Sequence, residues 1–167
     1  LFEEVKSILT SKMKHVECEK ITIDNRQINL KMNGIPSYED LHKEITDEEC
    51  YISEWKRKLR SRKKIDPEIP LDISIFRVSS DLGFLFANAE VVCDYGIFVK
   101  QVSNGSILPV GYSNGMIGYI PTESQLKEGG YEAETSIYYF VLPSTFDSCI
   151  EEDIKNTLNI MINNTGI

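Results

Sequence analysis

The hydrophobic and polar positions of the first 66 residues follow two different periods. Over residues 1–14 apolar side chains recur every three or four positions, which predicts an amphipathic helix. Over 16–32 the period falls to two, and Asn25 interrupts it as a turn residue would, so we expect a pair of strands. Ser37 then has the character of a helix start, and the helix that it opens is predicted to run to about residue 64.

The rest of the chain interleaves apolar strands with helices. Strands are predicted at 71–78, 82–87 and 107–111, with a further short strand in the aromatic segment 135–142, and helices at 90–101 and 147–161. Segment 82–87 is nearly all apolar, so we expect it at the centre of a sheet that is covered on both faces. This order predicts an α/β fold, a layered mixed sheet with flanking helices. Residues 1–66 and 67–167 are expected to be two sections of one structural unit.

Composition and charge exclude two classes of partner. The 167 residues are 41% hydrophobic and 26% charged, as in ordinary globular domains. Residues 1–66 hold fourteen cations and thirteen anions, whereas residues 67–167 hold four and thirteen, within a net charge of −8. Such an acidic chain is not expected to bind duplex nucleic acid. No apolar stretch approaches the roughly 18 residues of a transmembrane segment.

The lysines and arginines are concentrated in one place. Seven of the 18 lie within residues 56–64, at the end of the predicted second helix. Basic residues suit the negative end of a helix dipole, so the run is either a solvated helix face or a patch for an anion or a membrane surface. Both interpretations stay open on the sequence.

Cysteine and histidine do not predict a metal site. The cysteines (Cys18, Cys50, Cys93 and Cys149) lie far apart without a CxxC pair, as small core residues do in a reducing compartment such as the cytoplasm. His15 and His42 are the two histidines, and neither lies in a ligand motif.

Glu90 is the first candidate for chemistry. It directly follows the apolar segment 82–87, after Asn88 and Ala89, where a helix is predicted to begin. Ligands bind at the carboxyl ends of strands in layered α/β folds. A glutamate in this position is a metal ligand, a general base or a favourable charge at a helix N-terminus, and its position alone leaves the three open.

The second candidate is a loop rich in glycine and tyrosine. Residues 110–122 contain three glycines, two tyrosines and an asparagine, and six of the eight tyrosines lie between residues 95 and 139. Glycine allows a loop to wrap closely around a ligand. A phenol can donate to an oxyanion or bind a metal through its oxygen. The alternative is that these tyrosines fill the edge of a core.

Four motifs in a fixed order carry a family resemblance. They are Asn88-Ala89-Glu90 after a strand, the loop 114–122, the segment 128–132 with its Tyr-Glu pair, and Ser136-Ile137-Tyr138. In this order they resemble the C-terminal part of the catalytic domain in neutral/alkaline (non-lysosomal) ceramidases. That family has a strand ending in P-G-E, an N-x-x-x-x-Y-[IV]-x-T loop, a Y-E pair and a short S/T-I/L-Y/F strand. The resemblance covers about residues 70–160.

The resemblance implies a zinc-dependent amidohydrolase of lipid metabolism that cleaves an N-acyl bond in a small molecule or a lipid such as a sphingolipid. It implies that Glu90 and Tyr119 are zinc ligands and that Tyr131 hydrogen-bonds near the reacting carbonyl. Glu90 and Tyr119 are 29 residues apart, fewer than in longer family members, which indicates a trimmed connection. Asn88-Ala89 replaces the family's Pro-Gly.

The same resemblance implies that the chain is incomplete as an enzyme. The family's two histidine ligands and its serine nucleophile belong to an N-terminal half that these residues do not match. We therefore expect a fragment of a larger catalytic domain, inactive alone, whose partner is the missing N-terminal part; a first residue of Leu rather than Met agrees with this. The alternative is a non-catalytic binding module that keeps the fold and holds a ligand or partner at the glycine- and tyrosine-rich loop.

Overall fold

A computed structural model describes residues 1–13, 15–18, 20–43 and 50–165. It confirms the predicted α/β class, since a four-stranded mixed sheet of order β1-β2-β3-β5 is flanked by helices, beside a two-stranded ladder of β4 and β6. The strands are β1 (Thr22–Lys31), β2 (Glu68–Ser79), β3 (Leu82–Ala87), β4 (Glu90–Val91), β5 (Ile107–Val110) and β6 (Tyr119–Ile120). The helices are α1 (Phe2–Thr10), α2 (Tyr38–His42), α3 (Cys50–Arg60), α4 (Cys93–Val102), α5 (Glu123–Glu128), α6 (Ser136–Phe140) and α7 (Ile150–Asn164), with a π-helical turn at Tyr131–Thr135.

The main sheet buries one face against α4 and α7. Strands β1, β2 and β3 are antiparallel neighbours, and α4 is the crossover that brings β5 parallel to β3. Alternate residues of β2 point into the core, where they meet the apolar stripe of α7. The most deeply buried residues of these two elements are Leu71, Ile73, Ile75, Ile150, Ile154, Leu158 and Met161. Each is at most 2% exposed, so their burial stabilises the packing of α7 on the sheet.

Strand β3 is central as predicted, but it is not covered equally on both faces. Its residues alternate between buried and half-buried, and the half-buried side carries Phe84 and Phe86, whose rings stack at 6.2 Å. Aromatic rings therefore shield the second face in place of a helix layer.

Two predictions for the first half are wrong. The expected strand pair is the single strand β1, in which Asn25 lies opposite Ser74 and makes no turn, because the long β2 pairs with all ten residues of β1. The expected helix 37–64 is at least two helices. Ser37 does cap α2, accepting a hydrogen bond from the Asp40 amide at 3.0 Å, but α2 ends at His42. The part of that prediction at 44–49 lies outside the described residues.

Three predictions for the second half need correction. Glu90 belongs to β4, and α4 begins only at Cys93, because the backbone of 90–92 bonds to a neighbouring segment. Residues 135–140 of the predicted strand 135–142 are helical, since the positive φ of Gly129 and Gly130 turns the chain into the π-helical turn that continues as α6. The last helix begins at Ile150, later than predicted.

The cysteines are not the core residues that we expected. Cys18 and Cys93 are exposed and Cys149 is half-buried, and all three are free thiols. The side chain of Cys50 lies outside the described part of the chain.

A second, smaller core attaches α2 and α3 to α6. It consists of Leu41, Trp55 and Leu59, with Tyr138 packed against it. The indole Nε1 of Trp55 donates a 2.7 Å hydrogen bond to the carbonyl oxygen of Leu142. This contact fixes the position of the segment that carries the aromatic residues of the candidate site. In the described ranges, no helix has the length and apolar character needed to cross a membrane.

Candidate functional site

Residues 87–92 are held by the backbone of the glycine- and tyrosine-rich loop. The amide of Ser113 donates to the carbonyl of Ala87 at 2.8 Å, and the amide of Glu90 donates to the carbonyl of Gly118 at 3.0 Å. These bonds end in the β4–β6 ladder, where Glu90 lies directly opposite Tyr119 in parallel register. Two residues 29 positions apart in sequence are therefore neighbours by backbone pairing.

Asn88 anchors the turn that precedes Glu90. The residue is 7% exposed, and its Oδ1 accepts a 2.9 Å hydrogen bond from the Asp72 amide while its Nδ2 donates to the Asp72 carboxylate at 3.3 Å. The next residue, Ala89, is fully buried. These bonds tie the turn to β2 and leave Glu90 on a fixed backbone.

The loop opposite Glu90 has an unusual backbone. Tyr112 and Asn114 have φ values of 57° and 65°, a region that costs non-glycine residues about 1–3 kcal/mol each. Gly118 has a φ of 144°, and a Cβ added there would lie 3.2 Å from the Cδ1 of Leu142. Conformational strain and close packing thus converge on the segment that pairs with Glu90.

Gly118→Ala is expected to lower the free energy of unfolding by about 1–3 kcal/mol, because the residue must leave its backbone conformation or push Leu142 aside. Urea denaturation followed by circular dichroism measures the change. Gly105→Ala is the matched control, since Gly105 also has a positive φ, of 75°, but has open space around the added Cβ. If Gly118→Ala lowers the free energy of unfolding no more than Gly105→Ala does, the role given to the Leu142 contact is contradicted.

The carboxylate of Glu90 interacts with two phenols. Tyr112 and Tyr119 both hydrogen-bond to it, and these bonds raise the pKa of each phenol, that of Tyr119 to about 12. Desolvation and the negative charge of Glu90 act in the same direction. Both phenols are therefore protonated donors at neutral pH. Binding of a cation through the Tyr119 oxygen would have to release that proton.

Tyr131 lies beside this group. Its ring meets that of Tyr119 edge-on, with the centroids 5.5 Å apart, and 47% of the residue is exposed. The structure thus brings Glu90, Tyr119 and Tyr131 together. It adds Tyr112, whose only sequence signal is its place in the glycine-rich loop.

Aromatic rings continue from Tyr131 towards α3. Tyr139 lies 6.2 Å from Tyr131 and stacks on Tyr51 at 5.8 Å. Both Tyr131 and Tyr139 are about half exposed. The rings of Tyr131, Tyr139 and Tyr51 form a surface that we call the aromatic strip, and it begins at the Glu90 group.

Glu90 and Tyr119 fit two positions of a zinc site. A carboxylate oxygen is an ordinary zinc ligand, and a deprotonated phenol is a hard oxygen donor of similar character. Within the described ranges no three His, Cys, Asp or Glu side chains are grouped to hold a metal. His15 lies near the Ser79–Asp81 turn at the other end of β3, and His42 lies on α2. A complete ligand set would need donors from beyond these ranges.

Comparison of the chain with protein-family models, with curated proteins and with solved structures finds no match. A functional assignment therefore depends on the geometry of the Glu90 group and on the order of the sequence motifs.

Proposed function

We propose that the chain is the C-terminal part of a ceramidase-like, zinc-dependent hydrolase that cleaves an N-acyl (amide) bond. The observation that carries the proposal is the register of the β4–β6 ladder, which sets Glu90 opposite Tyr119 and joins their side chains by a hydrogen bond. A sequence that merely filled a core edge with tyrosines would not require a carboxylate at this position. The ladder fixes the backbone of the two residues that carry the proposed ligand oxygens.

In this proposal Glu90 and Tyr119 hold zinc together with ligands from the upstream part of the protein. Zinc supplies Lewis-acid polarisation of the amide carbonyl and lowers the pKa of a bound water. The chain's own contribution is positional. Asn88 fixes the turn before Glu90, and Tyr112 donates a further hydrogen bond to the same carboxylate, which restricts its orientation.

Tyr131 is the proposed catalytic residue of this chain. Its phenol is accessible and its ring contacts that of Tyr119, so it lies beside the two proposed ligands. A phenol at that position can donate a hydrogen bond to the oxygen of the carbonyl as negative charge develops on it. The substrate is an N-acylated small molecule or lipid, with the aromatic strip as the apolar surface next to the scissile bond. The serine nucleophile and histidine ligands of the related family would come from the upstream part, so the chain alone is inactive.

Metal content tests the proposal. In the protein that joins this chain to its upstream part, Glu90→Ala and Tyr119→Phe are each expected to lower bound zinc at least about tenfold, since losing even a residue that orients a ligand costs 10–100-fold in affinity. Zinc is measured by mass spectrometry after dialysis against a weak chelator. Tyr139→Phe is the matched control, because Tyr139 belongs to the neighbouring aromatic strip, next to Tyr131, but is not a proposed ligand.

The outcomes separate the alternatives. Zinc lost in Tyr119→Phe and kept in Tyr139→Phe supports the assignment. Equal zinc content in Tyr119→Phe and the wild type would show that Tyr119 is not a ligand. Full zinc content and full amide hydrolysis in Glu90→Ala would overturn the proposal, and a wild-type protein that binds no zinc would favour the non-catalytic binding module.

A further inference from the structure

The basic run at 56–64 divides into a partnered part and an open part. In the partnered part, Arg57 and Lys58 both pair with Glu54, at 2.6 and 3.5 Å, within α3. The Nζ of Lys56 donates to the carbonyl of Lys43 at 3.3 Å. Each cation in the first part of the run therefore has an acceptor within the protein.

The open part begins at the last residue of α3. Among the residues that the structure describes, Arg60, Arg62 and Lys63 have no ion-pair partner and no hydrogen-bond acceptor for their side chains. Lys64, next in sequence, pairs with Asp66 at 2.5 Å. Three neighbouring cations thus keep their donors available in a chain whose net charge is −8.

These cations are not needed to complete the helix end. The amide of Ser61 donates to the Arg57 carbonyl at 3.2 Å, and that of Arg62 donates to the Leu59 carbonyl at 3.1 Å. The Ser61 hydroxyl donates to the Lys58 carbonyl at 2.7 Å. Since these carbonyls already have partners, the cationic side chains are left for another acceptor.

The open cations line a groove between α2 and the end of α3. The groove has a volume of about 370 Å³, and its lining residues are Pro36, Tyr38, Leu41, His42, Leu59, Arg60, Arg62, Lys63, Lys64 and Ile65. No carboxylate is among the described residues that line it. Its apolar base belongs to the second core, where Leu41 and Leu59 are buried, so the floor is already packed.

The α2 side of the groove is also ordered. The rings of Tyr38 and His42 stack with centroids 3.9 Å apart, and the Nδ1 of His42 lies 2.8 Å from the Tyr38 carbonyl oxygen. A carbonyl only accepts, so Nδ1 donates its proton to it. The groove therefore combines guanidinium and ammonium groups beside this stacked pair of rings.

We propose that this groove, which we call the basic groove, binds a phosphate group. Arginine guanidinium groups match phosphate oxygens in pairs, and lysine adds a point charge. The phosphate belongs either to a soluble monoester or to the headgroup of an anionic phospholipid. The inference is independent of the proposed hydrolase, because neither Glu90 nor Tyr119 takes part in the groove.

The test is a titration of the 167-residue chain with inorganic phosphate. Binding is monitored through the amide resonances in two-dimensional NMR spectra. We expect saturable shifts confined to residues of α2 and 59–65, absent with sodium chloride at the same ionic strength. Arg60→Gln/Arg62→Gln/Lys63→Gln should abolish them. Arg57→Gln/Lys58→Gln, which removes paired cations from the same run, is the matched control and should retain them. Equal shifts in the two variants, or shifts reproduced by chloride, would overturn the proposal.

Vesicles distinguish the two sources of phosphate. Sedimentation with phosphatidylcholine vesicles containing phosphatidic acid is compared with sedimentation with phosphatidylcholine alone. If the source is a headgroup, binding to the acidic vesicles should fall about fivefold for each cation removed from the groove and should weaken with salt. Shifts of the amide resonances on addition of phosphate, without binding to vesicles, would identify a soluble monoester as the ligand and would still support the site. Circular dichroism of each variant verifies that it is folded, and a folded wild-type chain that responds to neither ligand would refute the site.

Discussion

In the proposed hydrolase, Tyr131→Phe is expected to lower the rate of amide hydrolysis by about 10²-fold or more while leaving bound zinc unchanged. A single donor to a developing oxyanion contributes a factor of this size. Because the phenol is proposed to act on the transition state, the loss should fall on kcat rather than on KM. The ring remains in the variant, so its edge-on contact with Tyr119 is kept.

Tyr139→Phe provides the control for this prediction. Tyr139 is the next ring of the aromatic strip and is also about half exposed, but it is one ring further from the Glu90 group. Removing the hydroxyl of Tyr139 should change kcat by less than about threefold. A similar fall in both variants would show a general effect of polarity in the strip, and full activity of Tyr131→Phe would remove Tyr131 from the catalytic residues.

Trp55→Ala is expected to lower the free energy of unfolding by about 3–5 kcal/mol, the usual cost of truncating a buried aromatic residue. Trp55 forms the second core together with Leu41 and Leu59, and its ring meets that of Tyr138 edge-on at 5.2 Å. Its removal also leaves the Leu142 carbonyl without the indole donor. Chemical denaturation followed by circular dichroism is the measurement, because the variant lacks the only tryptophan.

Trp55→Phe separates the two contributions. It keeps most of the apolar contact and removes only the hydrogen bond to Leu142, so we expect a loss of about 1–3 kcal/mol. If Trp55→Ala costs no more than Trp55→Phe, the hydrogen bond and not the packing attaches α3 to α6. A cost below 1 kcal/mol for Trp55→Ala would mean that the second core does not hold these helices.

The layered α/β architecture could be predicted because its strongest signals are local. Strands β2 and β3 have long apolar patterns bounded by turns, and α7 has a clear helical period. The same local reasoning failed for β1, where Asn25 resembles a turn residue. The conformation of this segment is set by the neighbouring strand, since ten consecutive residue pairs with β2 keep β1 extended. A single sequence does not show the length of that pairing.

The candidate site could be predicted only in part, and for a similar reason. Glu90, Tyr119 and Tyr131 were identified by motif order, and the structure does bring their side chains together. The hydrogen bond from Tyr112 to Glu90 could not be predicted, because it depends on a positive φ at a non-glycine residue. The prediction of a helix starting at Glu90 was wrong because a strand of two residues is too short to leave a hydrophobic period in the sequence.

The β4–β6 ladder also bears on how such a protein can change in length. Glu90 and Tyr119 meet through their own backbone bonds, and the chain between them leaves as α4 and returns through β5. Residues inserted or deleted at the far end of α4, around the turn at 103–106, would leave this pair in register. A shift of one residue within 111–118 would instead set a different side chain opposite Glu90. The connection between Glu90 and Tyr119 can thus change in length at the far end of α4, while the loop before Tyr119 must keep a fixed length.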